Sequence, residues 1–170
     1  MFDKFHIFLG ATVADAAARP LHWIYDQKTL QKHIKGKKDF AFLKKNKSPF
    51  YSIRTGKVSG YNDLGQVMFR SLKEDQNEKG ILSVFKKNIV KNFGPGSLYW
   101  KNLTLRKKYK KIKWRSKIKG PWIHQNIMET IQNIKKKKKI TGGIKVNESD
   151  GYCTALPYFL YCQSFKNIKR

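Results

Sequence analysis

Three of the eleven acidic residues in this chain, Asp15, Asp63 and Asp150, sit among small or apolar neighbours instead of among the lysines. A carboxylate in such surroundings is a candidate metal ligand, general acid or base, or a hydrogen-bonded structural group, because burying it without a partner is costly. Asp15 lies within Phe5-His6-Ile7-Phe8-Leu9-Gly10-Ala11-Thr12-Val13-Ala14-Asp15-Ala16-Ala17-Ala18, a run apolar on nearly every face. A helix there is expected to be buried, and its carboxylate needs either a cation or a donor from another helix. Asp63 stands where a helix N-cap would stand. Asp150-Gly151 reads as a turn dipeptide, and Gly94-Pro95-Gly96 as a helix breaker. Among the histidines, His6, His22, His33 and His124, no ligand spacing appears. Cys153 and Cys162 share one late segment without metal-ligand spacing and read as reduced core thiols.

These residues need helices to hold them. Hydrophobic spacing predicts a first helix from Phe5 to Ala18, stopped by Pro20. The basic stretch from Lys28 to Lys57, broken by Gly36 and Pro49, reads as a long loop with room for one short helix. A second helix is expected after Asp63, carrying Val67, Met68, Phe69 and Leu72. A third rests on Ile81, Leu82, Val84, Phe85, Ile89 and Val90, and a fourth on Ile123, Ile127, Met128, Ile131 and Ile134. The segment 105–119 is a basic insertion around Tyr109, Ile112 and Trp114, and Lys135 to Lys139 a self-repelling loop. Tyr152 to Phe165 is the last apolar segment, with Pro157 tolerable only near a helix start. The expected architecture is all-α, in a single domain spanning 1–170.

Composition supports one core: 170 residues, 40% hydrophobic and 14% aromatic. No apolar run is long enough for a membrane span. The N-terminus imitates a signal peptide, but Asp15 interrupts the run, so cytoplasmic residence is expected. The formal net charge of +26 would draw nonspecific polyanions. It comes from 31 Lys and only 6 Arg, whereas specific phosphate recognition favours the arginine fork. Compositional drift across solvated surfaces is the favoured explanation of such an excess, so the lysines need not mean function.

Four segments, in order, resemble the first half of the ADP-ribosylglycohydrolase family. They are Gly10-Ala11-Thr12-Val13-Ala14-Asp15-Ala16, Gly60-Tyr61-Asn62-Asp63, Phe93-Gly94-Pro95-Gly96, and Ser149-Asp150-Gly151 with Pro157. The wording from Ala14 to Asp26 is most similar to the J1-crystallin and selenoprotein J branch. The resemblance implies an orthogonal all-α bundle that binds two magnesium ions and cleaves ADP-ribose from its acceptor. It places the first metal motif on Tyr61, Asn62 and Asp63, with Asp63 keeping its ligand type, and gives Asp63 and Asp15 the catalytic roles. It places His22, Gly94, Gly96, Asp150 and Gly151 around the ligand. The family's second metal motif, Gly-Gly-Asp-Thr-Asp-Thr, does not occur in the chain, so a truncated domain is expected, and a second polypeptide completing the fold is one way to supply the rest. Exposed apolar faces on the first and last helices would then favour association. Three functions are weighed: a magnesium-dependent glycohydrolase acting on ADP-ribosylated substrates; a non-catalytic, crystallin-like or ADP-ribose-binding relative; and a nucleic-acid-binding module using 105–119.

Overall fold

The computed structural model describes residues 4–38, 41–48, 54–72, 76–108, 120–143 and 150–166, with the backbone alone at 4, 105–108, 150–152 and 163–166. Seven α-helices and no strand occur among the described residues, as the all-α expectation required.

Helix α1 spans Lys4–Ala18 and ends where Pro20 enters a 3-10 turn over Arg19–Leu21. Alanine-rich sequence favours the helix, and proline prevents its continuation. Helix α2, Gln27–Ile34, is the short helix allowed for in the basic stretch. Asp26 caps it by accepting from the Thr29 N–H at 2.7 Å, and none of its residues is buried. Helix α3 spans Gly60–Phe69 and α4 spans Glu78–Phe93, the latter capped by Asn77, which accepts from the Gly80 N–H at 2.9 Å. Gly94 closes α4: a Cβ there would stand 2.3 Å from the Val90 carbonyl oxygen, so only glycine fits. Helices α5, α6 and α7 span Leu98–Lys108, Gln125–Lys135 and Asp150–Lys166.

One apolar core joins four of them: Leu64 and Val67 of α3, Ile89 and Phe93 of α4, Tyr99 and Leu103 of α5, and Ile127 and Ile131 of α6, with Ile123 just before it. Helix α7 lies along α3 in the broadest helix pairing of the fold. Gly65 permits it, since a Cβ there would stand 3.0 Å from the Cys153 carbonyl oxygen.

Several sequence expectations need correction. Asp63 is not the N-cap of α3. Ser59 is, and Asp63 lies in the first turn. Leu72 falls beyond the helix end. Ile123 precedes α6 in extended chain but still reaches the core. Helix α5 was not anticipated, and it runs into the start of the basic 105–119 segment; Tyr109, Ile112 and Trp114 lie outside the described residues. Pro157 sits deep within α7 and is fully buried. A proline there cannot donate to the carbonyl of Cys153, the same carbonyl that lies against Gly65. Cys153 and Cys162 form no disulfide and are half-buried, not core. No helix among the described residues is long and apolar enough to cross a membrane.

Candidate functional site

The first turn of α3 brings the predicted residues together, and each arrives by a different route. Asp15 projects from α1, and both its oxygens meet Ser59: Oδ2 accepts from the backbone N–H and Oδ1 from the hydroxyl, each at 2.6 Å. Ser59 is fully buried, and its Oγ in turn accepts from the Tyr61 N–H at 3.2 Å. Asp15 therefore caps the capping residue, supplying a charged acceptor to the positive end of α3.

Arg19 holds the approach to this junction. Its guanidinium is fully buried, with Nε donating to the Lys57 carbonyl and Nη2 to the Arg54 carbonyl, both at 2.6 Å. This pins residues 54–57 to the end of α1 and so delivers Ser59 to Asp15. Asn62 is buried beside it. Its Nδ2 donates to Thr12 Oγ1 at 3.1 Å, and its Oδ1 accepts from Gln66 Nε2 at 2.8 Å. The amide is thereby used to bind α1 to α3.

An aromatic group covers the junction. Tyr61 packs against the fully buried His124 at 4.1 Å between ring centroids, and Trp23 stands 5.7 Å from His124 and 6.5 Å from Tyr61. Trp23 takes φ 62°, a left-handed conformation that a tryptophan adopts at some cost. Gly60 is needed for the close approach, because a Cβ there would stand 3.2 Å from the Trp122 carbonyl oxygen and 3.4 Å from His124 Nε2. His22 Nε2 lies 4.0 Å from Asp15 Oδ1. Burial pushes the His22 pKa below its ordinary 6.5; Arg19 and His124 add to the effect, and Asp15 opposes it.

Asp63 faces elsewhere. Its Oδ2 accepts a short hydrogen bond from the Tyr99 hydroxyl of α5, beside a cavity of about 180 Å³ also lined by Gln66, Arg70 and Phe93. Burial raises the Asp63 pKa above its ordinary 3.8. The Tyr99 bond, Arg70 and Lys57 pull it down, and the Asp15 charge pushes it up.

Asp15, His22, Tyr61 and Asn62 thus share one junction, and Asp63, on the same first turn of α3, faces α5 instead. Gly94 and Gly96 do not join it: they form the α4–α5 turn, with Gly96 at φ 92°, and line neither this cavity nor a larger one between α4 and α6. Asp150 and Gly151 open α7, and their side-chain surroundings lie outside the described residues. Sequence reasoning missed Arg19, Ser59, Tyr99 and His124. A serine directly before the Gly60 helix start is a legible N-cap signal. Tyr99 and His124 reach the site through tertiary packing and leave no local mark.

The donors assigned to magnesium do not fit that ion. It requires near-octahedral oxygen ligation from carboxylates and waters. Of the residues assigned to it, Asp63 accepts from Tyr99 through Oδ2, Asn62 is shared between Thr12 and Gln66, and Tyr61 packs against His124, while both oxygens of the neighbouring Asp15 hold Ser59. No three His, Cys, Asp or Glu side chains converge among the described residues.

Fold and site together define an all-helical protein whose carboxylates form a hydrogen-bonded junction between α1, α3 and α5. The chain is similar to Crystallin J1A and Crystallin J1B of Tripedalia cystophora, each 26% identical over 149 residues. Those residues cover 88% of this chain but 43% of each crystallin, so the chain spans less than half the length of these relatives. No protein-family model and no solved structure matches it.

Proposed function

We propose that this chain is a crystallin-like, non-catalytic relative of the ADP-ribosylglycohydrolases that binds ADP-ribose weakly and does not hydrolyse it alone. The observation that carries this reading is the use of Asp15 and Asp63 to hold Ser59 and Tyr99. Glycoside hydrolysis passes through an oxocarbenium-like transition state and needs an activated water flanked by placed carboxylates. Carboxylates occupied as helix clamps supply neither. Binding is less demanding, since a surface of net charge +26 attracts a diphosphate without any metal. A cytoplasmic location is part of the proposal, resting on Asp15 interrupting the signal-like apolar run at the N-terminus.

A second reading is favoured by one observation: Asp15 and Asp63 are close enough for the charge of one to raise the pKa of the other. Such a pair is the beginning of an acid–base site. In that reading, hydrolysis of an ADP-ribosylated substrate, with magnesium, belongs to an assembly in which another polypeptide brings further ligands. The nucleic-acid reading rests mainly on residues outside the described ones and gains nothing from the junction.

The purified chain, incubated with an ADP-ribosylated acceptor and magnesium, is expected to release no more ADP-ribose than an Asp63→Ala control. Release above that control would overturn the non-catalytic reading. Calorimetry should show weak ADP-ribose binding that falls with added salt and does not depend on magnesium.

A further inference from the structure

Between α4 and α6 lies a cavity of about 320 Å³ that the junction does not use. It shares no lining residue with the cavity beside Asp63. Its floor is the apolar core itself, Leu64, Ile89 and Ile127, each no more than 3% exposed, and Phe85 is its aromatic wall. Residues 141–143 form a strap along one side. The buried Asn133 fastens that strap to α6, its Nδ2 donating to the carbonyls of Thr141 and Gly142 at 3.4 and 3.1 Å.

Two polar groups interrupt the apolar lining, and neither is satisfied by the fold. Asn126 Oδ1 is buried and accepts no hydrogen bond. The strap presses directly on it, since a Cβ at Gly143 would stand 1.8 Å from that oxygen, yet gives it no donor. Thr130 is not available as one, because its hydroxyl donates to the Asn126 backbone carbonyl at 2.9 Å. A buried acceptor without a donor is costly and calls for a partner. Lys86, half-buried on the α4 side, forms no ion pair among the described residues, and no Asp or Glu is among the described residues that line the cavity.

We infer that this cavity is a binding site for a small aromatic carboxylate that carries a ring N–H or O–H. The ring lies on the apolar floor against Phe85, the N–H or O–H donates to Asn126 Oδ1, and the carboxylate meets the Lys86 ammonium. The volume is at the small end of ligand pockets and suits one or two rings. A cationic ligand would face a lysine with no carboxylate to receive it, and a purely apolar one would leave Asn126 Oδ1 buried without a donor. The inference does not rest on ADP-ribose binding, which concerns the opposite side of the molecule's polar chemistry and different residues.

The test is calorimetric titration of this chain with indole-3-acetate, which carries all three features. Saturable one-to-one binding is expected, with a Kd of about 1 mM or tighter. Two comparison compounds, 1-methylindole-3-acetate without the N–H and 3-methylindole without the carboxylate, should each bind at least about fivefold more weakly. Each difference should then disappear in one variant: Asn126→Ala should stop distinguishing the N-methyl compound, and Lys86→Met should stop distinguishing 3-methylindole. The comparison of the three compounds on the unsubstituted chain decides the matter even where a variant fails to fold. Absence of saturable binding would overturn the inference. Equal binding of 3-methylindole and the acid would reduce the cavity to an apolar void, and discrimination that survives in both folded variants would put the acid elsewhere on the basic surface. Displacement of indole-3-acetate by ADP-ribose would return the cavity to the proposed ADP-ribose site. Each of these three results sinks the proposal.

Discussion

Helix α3 has two sides built on opposite principles. Toward α4, α5 and α6 it presents Leu64 and Val67 to an apolar core in which Phe93 and Ile131 are essentially inaccessible to water. Toward α1 it presents Ser59 and Asn62 to Asp15 and Thr12, with Arg19 close behind. Apolar contacts are forgiving of direction, whereas every hydrogen bond in the polar seam has a single partner at a set distance. The core side therefore supplies most of the stability, and the α1 side fixes register.

The apolar side should break hardest. Phe93→Ala removes a 1% exposed ring that touches Tyr99 at 4.6 Å between centroids, and is expected to cost about 3–5 kcal/mol in denaturant unfolding. Asp15→Ala strands two buried donors on Ser59 and should cost about 2–3 kcal/mol. Asp15→Asn, which keeps one carbonyl acceptor, should recover roughly half of that loss. Equal losses for Asn and Ala would mean that the charge at the α3 N-terminus matters and the paired geometry does not.

Much of the apolar side was legible in the sequence, because its helices carry isoleucines and leucines at helical spacing. Ile81, Ile89, Ile127 and Ile131 were all placed on the helices where they occur, facing inward. The polar side was legible only in its members. Asp15, Tyr61, Asn62, Asp63 and His22 were singled out together, but not their partners. No pattern links Asp15 to Ser59 or Asp63 to Tyr99, since these pairs lie 44 and 36 residues apart. Asp63 was misread as a cap because Ser59 and Asp63 both suit a helix start, and only the backbone decides between them. Helix α5 was hidden by its lysines, which read as a loop although lysine is a good helix former. Pro157 misled in the opposite direction: proline is a strong local breaker, and a tight packing of α7 on Gly65 outweighs it.

The contrast between the two carboxylates gives a smaller prediction of opposite sign. The pKa of Asp63 is raised above 3.8, so the folded chain holds that proton more tightly than the unfolded one. Its contribution to stability is fully present below 3.8 and is lost as pH rises through the folded value. At pH 7 the buried carboxylate is therefore a liability. Asp63→Asn, whose carbonyl still accepts from Tyr99, should raise stability at pH 7 by no more than about 1 kcal/mol. The gain should vanish toward pH 4. A loss at pH 7 would mean that the charged form of Asp63 is wanted in the fold, and would favour the acid–base reading over the structural one.

His22 supplies the smallest and most discriminating effect. Its pKa is lowered from 6.5, so the folded state resists a proton that the unfolded state accepts. Its contribution is present above pH 6.5 and declines as pH falls from there toward the folded value, below which the loss is complete. Asp15 lies 4.0 Å away and opposes this by welcoming the imidazolium, so the decline should be shallow. His22→Gln should flatten the stability profile just below pH 6.5 and leave it unchanged above. In an Asp15→Asn background the favourable charge is gone, burial and Arg19 act unopposed, and the His22 decline should steepen. If instead the two substitutions are additive at every pH, His22 and Asp15 are neighbours without coupling, and the junction is a set of independent clamps on α3.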